Sequence, residues 1–158
     1  MVEIERKFLV ISDDFRNQAT SKEHIVQGFL NIHPERTVRV RTTGDLGYLT
    51  VKGKSNVGGT VRFEWEKEID KKDAQELLQL CEHMIIEKTR YGIPIGSHIF
   101  EVDEFYGENE GLIIAELELE DENESFDRPD WLGPEVSGEL KYYNSQLSKK
   151  PYSKWKKQ

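Results

Sequence analysis

The chain has 158 residues and a mass of 18.4 kDa, with 33% charged and 36% apolar residues, which favours one folded domain over residues 1–158 rather than disorder. Its formal net charge of −8 repels long polyanions, so a nucleic-acid partner is disfavoured. The single cysteine, Cys81, excludes an intramolecular disulfide and a multi-cysteine metal site. No apolar run approaches the roughly 20 residues that cross a bilayer, and the acidic Glu3 and Glu5 argue against a signal peptide. We therefore expect a cytoplasmic protein without a membrane partner.

Alternation of polar and apolar residues dominates the chain and predicts eight strands. In chain order they are Val2 to Val10, Ile25 to Leu30, Thr37 to Arg41, Tyr48 to Lys52, Val61 to Ile69, Ile85 to Tyr91, Ile99 to Tyr106 and Leu112 to Glu120. Glycine-rich and proline-containing turns separate several of them. Strands at this spacing predict a closed eight-stranded antiparallel β-barrel, in a mainly β fold with flanking helices, an α+β arrangement.

Helical periodicity is present in three shorter segments. Asp70 can cap a helix that runs to about His83 and buries Cys81 together with two leucines. A short helix is predicted to start at Ser12, and Ser137 is predicted to cap a third that runs toward Ser148. We expect these helices to pack on the outer faces of the strands.

The polar face of most strands carries charges of one sign. These sets are Arg39 with Arg41, Lys88 with Arg90, Glu64 with Glu66 and Glu68, Glu101 with Asp103, and Glu116 with Glu118. The ordinary alternative is a sheet with apolar side chains inside and charged side chains in solvent. Because solvated faces usually mix signs, the sorting favours a barrel with its charges inward, and eight strands leave room for one compact ligand.

A charged lumen has a definite chemistry. Burying unpaired ions costs several kcal/mol each, so water and a charged substrate are expected inside. Carboxylates two positions apart on a strand stand about 6.6 to 7 Å apart and can converge on a hard divalent cation. Clustered arginines and lysines suit phosphate oxygens. The sequence therefore predicts a phosphate chain bound together with Mg²⁺ or Mn²⁺.

Competing sites are poorly supported. Gly53-Lys54-Ser55 is similar to the end of a phosphate-binding loop, but Tyr48 stands where that loop needs glycine. The four histidines are scattered without the spacing of a metal site. A paired-glutamate glycosidase has no use for six converging cations.

Several motifs in order resemble the CYTH superfamily, also called triphosphate tunnel metalloenzymes. They are Glu3-Ile4-Glu5-Arg6-Lys7, Arg39-Val40-Arg41, Thr50-Val51-Lys52, Glu87-Lys88-Thr89-Arg90-Tyr91, Glu116-Leu117-Glu118, and Gly133-Pro134-Glu135-Val136 followed by Tyr142 and Asn144. The resemblance covers nearly the whole chain. It implies an eight-stranded tunnel with a charged, hydrated lumen that binds triphosphate or a nucleoside triphosphate with a divalent metal.

The resemblance also implies roles for individual residues. The triphosphate cradle is assigned to Lys7, Arg39, Arg41, Lys52, Lys88 and Arg90, with Lys141 as a further candidate. Metal binding is assigned to Glu116 and Glu118, with Glu3, Glu5, Glu64, Glu66 and Asp103 as supporting carboxylates or as a second metal site. Two positions depart from the family pattern: Phe29 stands where relatives that cleave inorganic triphosphate often have tyrosine, and Leu140 where many have a basic residue.

The leading hypothesis is a metal-dependent hydrolase of inorganic triphosphate. Under it, Glu5 or Glu64 orients or deprotonates the attacking water, and Lys88 protonates or polarises the leaving oxygen. The alternatives are a class IV adenylyl cyclase that converts ATP to cyclic AMP and pyrophosphate, a thiamine triphosphatase, and a polyphosphate- or nucleotide-binding module without turnover. The sequence leaves the oligomeric state open, a homodimer included.

Overall fold

The computed structural model describes residues 1–155, so the last three residues of the predicted domain lie outside the described part. Its strands are β1 (Val2–Val10), β2 (Ser21–Asn31), β3 (Arg36–Thr43), β4 (Leu46–Ser55), β5 (Val61–Asp70), β6 (Glu82–Ile95), β7 (His98–Phe105), β8 (Ile113–Leu119) and β9 (Leu132–Glu135). Its helices are α1 (Phe15–Gln18), α2 (Lys71–Leu78) and α3 (Asn144–Lys149). Short 3-10 turns lie at Gly107–Asn109, Leu140–Tyr142 and Tyr152–Lys154.

Eight of the strands form a closed antiparallel barrel, as the sequence predicted. Their order around the ring is β5-β4-β3-β2-β6-β7-β8-β1, and β1 pairs back onto β5. The closing register places Glu3 opposite Arg62. Every pairing in the ring is antiparallel. Closure removes the exposed sheet edges and encloses the inward side chains.

The ninth strand was not predicted. β9 pairs with the second half of β1, with Glu135 opposite Phe8, while β5 takes the first half of the same edge. β9 has four residues, and two of them are Gly133 and Pro134. This pair is typical of a turn, and proline is tolerated in a strand only at an edge or a bulge.

Helix α2 follows Asp70 as predicted, but the Asp70 side chain makes no capping hydrogen bond, and the helix ends at Leu78 rather than near His83. The chain is extended again from Glu82, because β6 starts three residues before the predicted Ile85 and pairs Glu82 with Phe29 of β2. α2 contacts β2, β3 and β4. Its fully buried Ala74 packs against Gly47, where an added Cβ would lie 2.8 Å from the Ala74 Cβ.

The other two helices are shorter than predicted. The helix expected from Ser12 is the single turn α1, which starts at Phe15 and buries that ring completely. The helix expected from Ser137 is divided into a 3-10 turn and α3. Ser137 does not cap it, since its hydroxyl accepts a hydrogen bond from the backbone N–H of Lys7 at 2.9 Å.

Two apolar clusters hold the barrel. The first covers the outer faces of β1, β6, β7 and β8 and includes Phe8, Phe15, Phe100, Leu117 and Trp131. The second fills one end of the interior and includes Phe29, Ile86, Phe105, Ile114 and Leu147. Because side chains alternate along a strand, the inward positions change from charged to apolar at that end, which is closed. Within residues 1–155, no helix has the length and apolar character needed to cross a membrane.

Candidate active site

The barrel encloses a cavity of about 240 Å³ to which all eight barrel strands contribute side chains. In the described part of the chain its cationic lining is Lys7, Arg39, Arg41, Lys52, Arg62, Lys88 and Arg90, and its acidic lining is Glu3, Glu5, Glu64, Glu66, Glu101, Glu116 and Glu118. The charged faces therefore point inward, and the alternative of an ordinary sheet with its charges in solvent is wrong for these strands.

The two signs occupy different halves of the barrel wall. Most cations project from β3, β4 and β6, which lie together in the ring with β2 between β3 and β6. Most carboxylates project from β7, β8, β1 and β5, which form the other half. Lys7 of β1 and Arg62 of β5 are the exceptions. A ligand in the cavity therefore meets a positive wall on one side and a negative wall on the other.

Two arginines of the positive half, Arg39 and Arg41, share a single carboxylate. Arg39 and Arg41 both approach Glu66, at 3.3 Å and 3.6 Å from Nη2 to Oε2. The Nε groups of both arginines are buried without a hydrogen-bond acceptor. Burial, together with the charge of Arg41, lowers the pKa of Arg39 to about 10. An anionic ligand would supply the missing charge.

The negative half has the opposite deficit. Glu5 of β1 stands directly across from Glu118 of β8. Burial and the neighbouring charges of Glu116 and Glu3 raise the pKa of Glu5 well above its usual value. Partial burial and the charge of Glu3 also raise the pKa of Glu118, although much of its side chain is exposed. Within residues 1–155 neither carboxylate forms an ion pair, so both can accept a cation.

Glu116 differs from its neighbours because it is strongly paired. Arg90 Nη2 donates to its Oε1 at 2.8 Å, and Lys7 Nζ lies 3.8 Å from its Oε2. Although burial opposes it, the charges of Lys7 and Arg90 hold the pKa of Glu116 far below the usual value. Glu116 also shares a hydrogen bond with Glu5, so the two carboxyl groups have opposite preferences for a proton.

The two halves meet at Lys52. Its Nζ lies 3.0 Å from Glu3 Oε1 and 3.3 Å from Glu64 Oε2. Burial raises the pKa of Glu64 in spite of that lysine. Glu64 therefore combines access to the cavity with a raised affinity for protons.

At the closed end, Lys88 is 2% exposed and donates to Asp103 Oδ2 at 2.8 Å and Asn144 Oδ1 at 2.9 Å. Burial lowers its pKa to about 8, and the charge of Asp103 opposes that change only in part. Asp103 is 1% exposed and does not belong to the cavity lining, contrary to its prediction as a supporting metal ligand. It lies behind the cavity wall, between Lys88 and Arg90.

Lys141 is also placed differently from its prediction. It is exposed, and its Nζ stacks 4.6 Å from the centre of the Trp155 ring, outside the cavity. Leu140, the nearby departure from the family pattern, is 64% exposed. Phe29, the other departure, lines the cavity close to its closed end without offering a hydroxyl group.

Sequence reasoning assigned no site role to four residues of the lining that bear on its chemistry. They are Arg62, Glu101, Tyr143 and Asn144. The alternation of β5 places Arg62 on the same face as Glu64, so the signal for Arg62 was present. Glu101 shares its face with Asp103 in the same way. Asn144 belongs to the family motif but received no role there, and Tyr143 carries no alternation signal because it lies in the turn before α3.

The carboxylate ligands suit a hard divalent cation that keeps part of its hydration shell. Among residues 1–155, no three acidic, histidine or cysteine side chains already form a metal cage. Mg²⁺ usually takes one or two carboxylates and completes its octahedron with water and phosphate oxygens. The under-compensated pair Glu5 and Glu118 fits that requirement.

Comparison with known proteins gives similarity along almost the entire chain. A model of the CYTH domain family matches residues 1–152. An inorganic triphosphatase of Acetivibrio thermocellus is 48% identical over 155 residues, covering 98% of this chain and 97% of the relative. One of Nitrosomonas europaea is 35% identical over 153 residues, covering 94% and 97%. The crystal structure of the inorganic triphosphatase NE1496 superposes with a TM-score of 0.66 at 31% identity, covering 92% of this chain and 93% of that one.

Proposed function

This chain belongs to the CYTH domain family, and we propose that it hydrolyses inorganic triphosphate with the help of Mg²⁺ or Mn²⁺. The observation that carries the proposal is the opposite charge deficit of the two halves of the cavity wall. The Nε groups of Arg39 and Arg41 lack acceptors and the two side chains share Glu66, while Glu5 forms no ion pair within residues 1–155. A polyphosphate and a divalent metal ion bound side by side neutralise both deficits at once.

The cradle residues bind and align the phosphate chain. Arg39, Arg41, Lys52 and Arg90 project into one small cavity from three strands, β3, β4 and β6, and Lys7 faces them from β1. Arginine can hold phosphate oxygens with two parallel N–H donors, while lysine acts as a point charge. Fixed in a barrel wall, these donors need no rearrangement as charge develops on the transferred phosphoryl group.

Glu116 and Glu118 of β8, with Glu3 and Glu5 of β1, are the residues that would hold the metal. Glu66, another predicted supporting ligand, lies on β5 next to the positive half of the wall and accepts from Arg39 instead. When bound, Mg²⁺ or Mn²⁺ supplies Lewis-acid neutralisation of the phosphate oxygens. The protein contributes carboxylates whose positions are fixed by strand pairing.

The proton transfers of the reaction are assigned to groups with shifted pKa values. Glu5 and Glu64 both have raised pKa values, which suits a carboxylate that orients an attacking water and accepts its proton. Lys88, with a pKa near 8, is charged at neutral pH and close to the range in which a lysine can give up a proton. We assign Lys88 the role of protonating or polarising the leaving-group oxygen.

The size of the cavity supports an inorganic substrate. Its volume of about 240 Å³ is below the roughly 300–1,000 Å³ of sites that hold drug-sized organic ligands. Phe29 and Tyr143 are its aromatic lining residues within residues 1–155. The two curated relatives described above are named inorganic triphosphatases. These observations favour triphosphate over ATP or thiamine triphosphate.

The proposal is tested by incubating the protein with Mg²⁺ and, in separate samples, with triphosphate, ATP or thiamine triphosphate, and following the products by phosphorus NMR. We expect orthophosphate and pyrophosphate from triphosphate at a rate far above those for the organic substrates. Cyclic AMP without orthophosphate would instead identify an adenylyl cyclase. Metal-dependent binding without any product would identify a binding module.

A further inference from the structure

Three polar side chains at the closed end of the cavity form a chain of hydrogen bonds. Gln27 of β2 is fully buried, and its Nε2 donates to Asn144 Oδ1 at 2.5 Å. Lys88 Nζ donates to the same Oδ1 at 2.9 Å. Asn144 and Lys88 line the cavity, whereas Gln27 lies behind them. Neither Gln27 nor Asn144 belongs to the triphosphate cradle described above.

The identity of Lys88 fixes the orientation of the asparagine amide. A charged lysine has donors only, so the atom of Asn144 that faces it must be the carbonyl oxygen. Gln27 meets the same oxygen and must therefore present its N–H₂ group. This leaves Gln27 Oε1 buried without a partner, an arrangement that costs free energy. The cost is consistent with a site in which amide orientation matters.

The orientation determines what Asn144 offers to the cavity. Its Oδ1 has two lone pairs, and both are used by Gln27 and Lys88. Its Nδ2 group makes no hydrogen bond to any residue in the described range 1–155. Lys88 Nζ lies 2.8 Å from Asp103 Oδ2 and 2.9 Å from Asn144 Oδ1, so these two acceptors account for two of its three N–H bonds. Within residues 1–155, Asn144 Nδ2 therefore lies beside Lys88 at the closed end without an acceptor of its own.

We propose that Asn144 is a substrate-binding residue whose Nδ2 donates to the phosphate group at the closed end of the cavity, and that Gln27 is a positioning residue that keeps the amide turned that way. This inference rests on the proposed function and deepens it. Phosphate oxygens accept from neutral amide donors as well as from cations, and a fixed amide adds direction to the charge of Lys88. The pair selects an anion that reaches the closed end of the barrel.

Asn144→Asp is the informative substitution, because it keeps an oxygen facing both Gln27 and Lys88 but replaces the Nδ2 donor with a second oxygen. We expect Kd for triphosphate, measured by calorimetry with Mg²⁺ present, to rise at least about tenfold. Asn31→Asp makes the same change of charge at the end of β2, outside the cavity lining, and should leave Kd within about twofold. A Kd for Asn144→Asp within twofold of wild type would overturn the inference.

Gln27→Met tests positioning. It removes the N–H donor at similar volume, so we expect Kd to rise about threefold through lost orientation of the amide. Combined with Asn144→Asp it should add nothing, since the donor that Gln27 orients is then absent. If Gln27→Met raised Kd by the same factor in the Asn144→Asp background as in the wild type, Gln27 would have a merely structural role.

A measurement on the wild-type protein keeps the test valid if Asn144→Asp does not fold. The side-chain ¹⁵N–¹H₂ resonances of Asn144, assigned by triple-resonance NMR, should shift on addition of triphosphate with Mg²⁺. Resonances that stay in place at saturation would contradict the inference. A wild-type protein that neither binds nor cleaves triphosphate would instead defeat the proposed function.

Discussion

Asp103 faces Arg90 across the β6–β7 ladder and accepts two hydrogen bonds from its guanidinium group, at 2.8 Å and 3.0 Å. The same carboxylate lies 2.8 Å from Lys88 Nζ. Although burial raises it, the charges of Arg90 and Lys88 hold the pKa of Asp103 below its usual value. One buried carboxylate outside the cavity lining therefore positions two cations that line it.

Asp103→Asn should destabilise the barrel strongly, because it leaves two buried cations without their shared counter-charge. We expect the free energy of unfolding, from urea denaturation, to fall by roughly 3–5 kcal/mol. Asp45→Asn, in the exposed turn between β3 and β4, removes the same charge and should change it by less than about 0.5 kcal/mol. A loss below about 1 kcal/mol at Asp103 would contradict this account.

Arg39→Ala should weaken triphosphate binding and slow its hydrolysis, since it removes a guanidinium group from the positive wall. We expect kcat/KM to fall by on the order of 10²-fold. The affinity should also depend less steeply on salt concentration, because one charge contact is lost. Arg36→Ala is a matched control: Arg36 begins the same strand but is exposed and outside the cavity lining. Equal kinetics for the two variants would place Arg39 outside the site.

The lowered pKa of Lys88 predicts a pH dependence with a definite sign. Above about pH 8 the folded protein loses this proton, while an unfolded lysine keeps it to about pH 10.4. The unfolded state then binds more protons, so this group's contribution to stability increases with pH in that window. Triphosphate requires the charged form, so its affinity should fall above pH 8.

Calorimetry can detect this proton directly. At pH 8.5, binding of triphosphate should take up a fraction of a proton, seen as a difference in binding enthalpy between buffers of different ionisation enthalpy. Lys88→Arg, which stays charged throughout this range, should abolish that uptake. Uptake that persists in the variant would assign the proton to another group.

Much of the barrel was predictable from local patterns. Alternation gave all eight barrel strands and the bounds of β1 from Val2 to Val10, and it placed Arg39 and Glu116 on faces that point inward. The separation of positive and negative halves was not predictable, because it depends on β2 pairing with the distant β6. Such long-range order is set by the closed sheet rather than by neighbouring residues.

The position of a side chain along the barrel axis was the second feature that could not be predicted from the sequence. Glu101 and Asp103 share one face of β7, yet Glu101 lines the cavity and Asp103 lies behind its wall. Alternation identifies the face of a strand but not the distance from its open end. The prediction for Lys141 was wrong for a related reason. Lys141 lies in the turn before α3, which directs its side chain onto Trp155, and a turn has no residue periodicity from which this direction could be predicted.

Glu118→Gln should weaken the requirement for metal without weakening the fold. Glu118 is exposed and forms no ion pair within residues 1–155, so its removal leaves no buried cation unpaired. We expect the Mg²⁺ concentration for half-maximal hydrolysis to rise about tenfold or more, with the melting temperature unchanged within about 2 °C. Glu110→Gln, exposed and outside the cavity, is the control. An identical Mg²⁺ titration would remove Glu118 from the metal site.

The central claim is that one cavity holds a polyphosphate against its positive half and a divalent cation against its negative half. It is tested most directly by a crystal structure of the protein with Mn²⁺ and triphosphate, using the anomalous signal of manganese. The account predicts an anomalous peak beside the carboxylates of β1 and β8, with phosphate density between that peak and Arg39, Arg41 and Arg90. Manganese and triphosphate bound on the outer surface of the barrel, with the cavity filled by water, would contradict it.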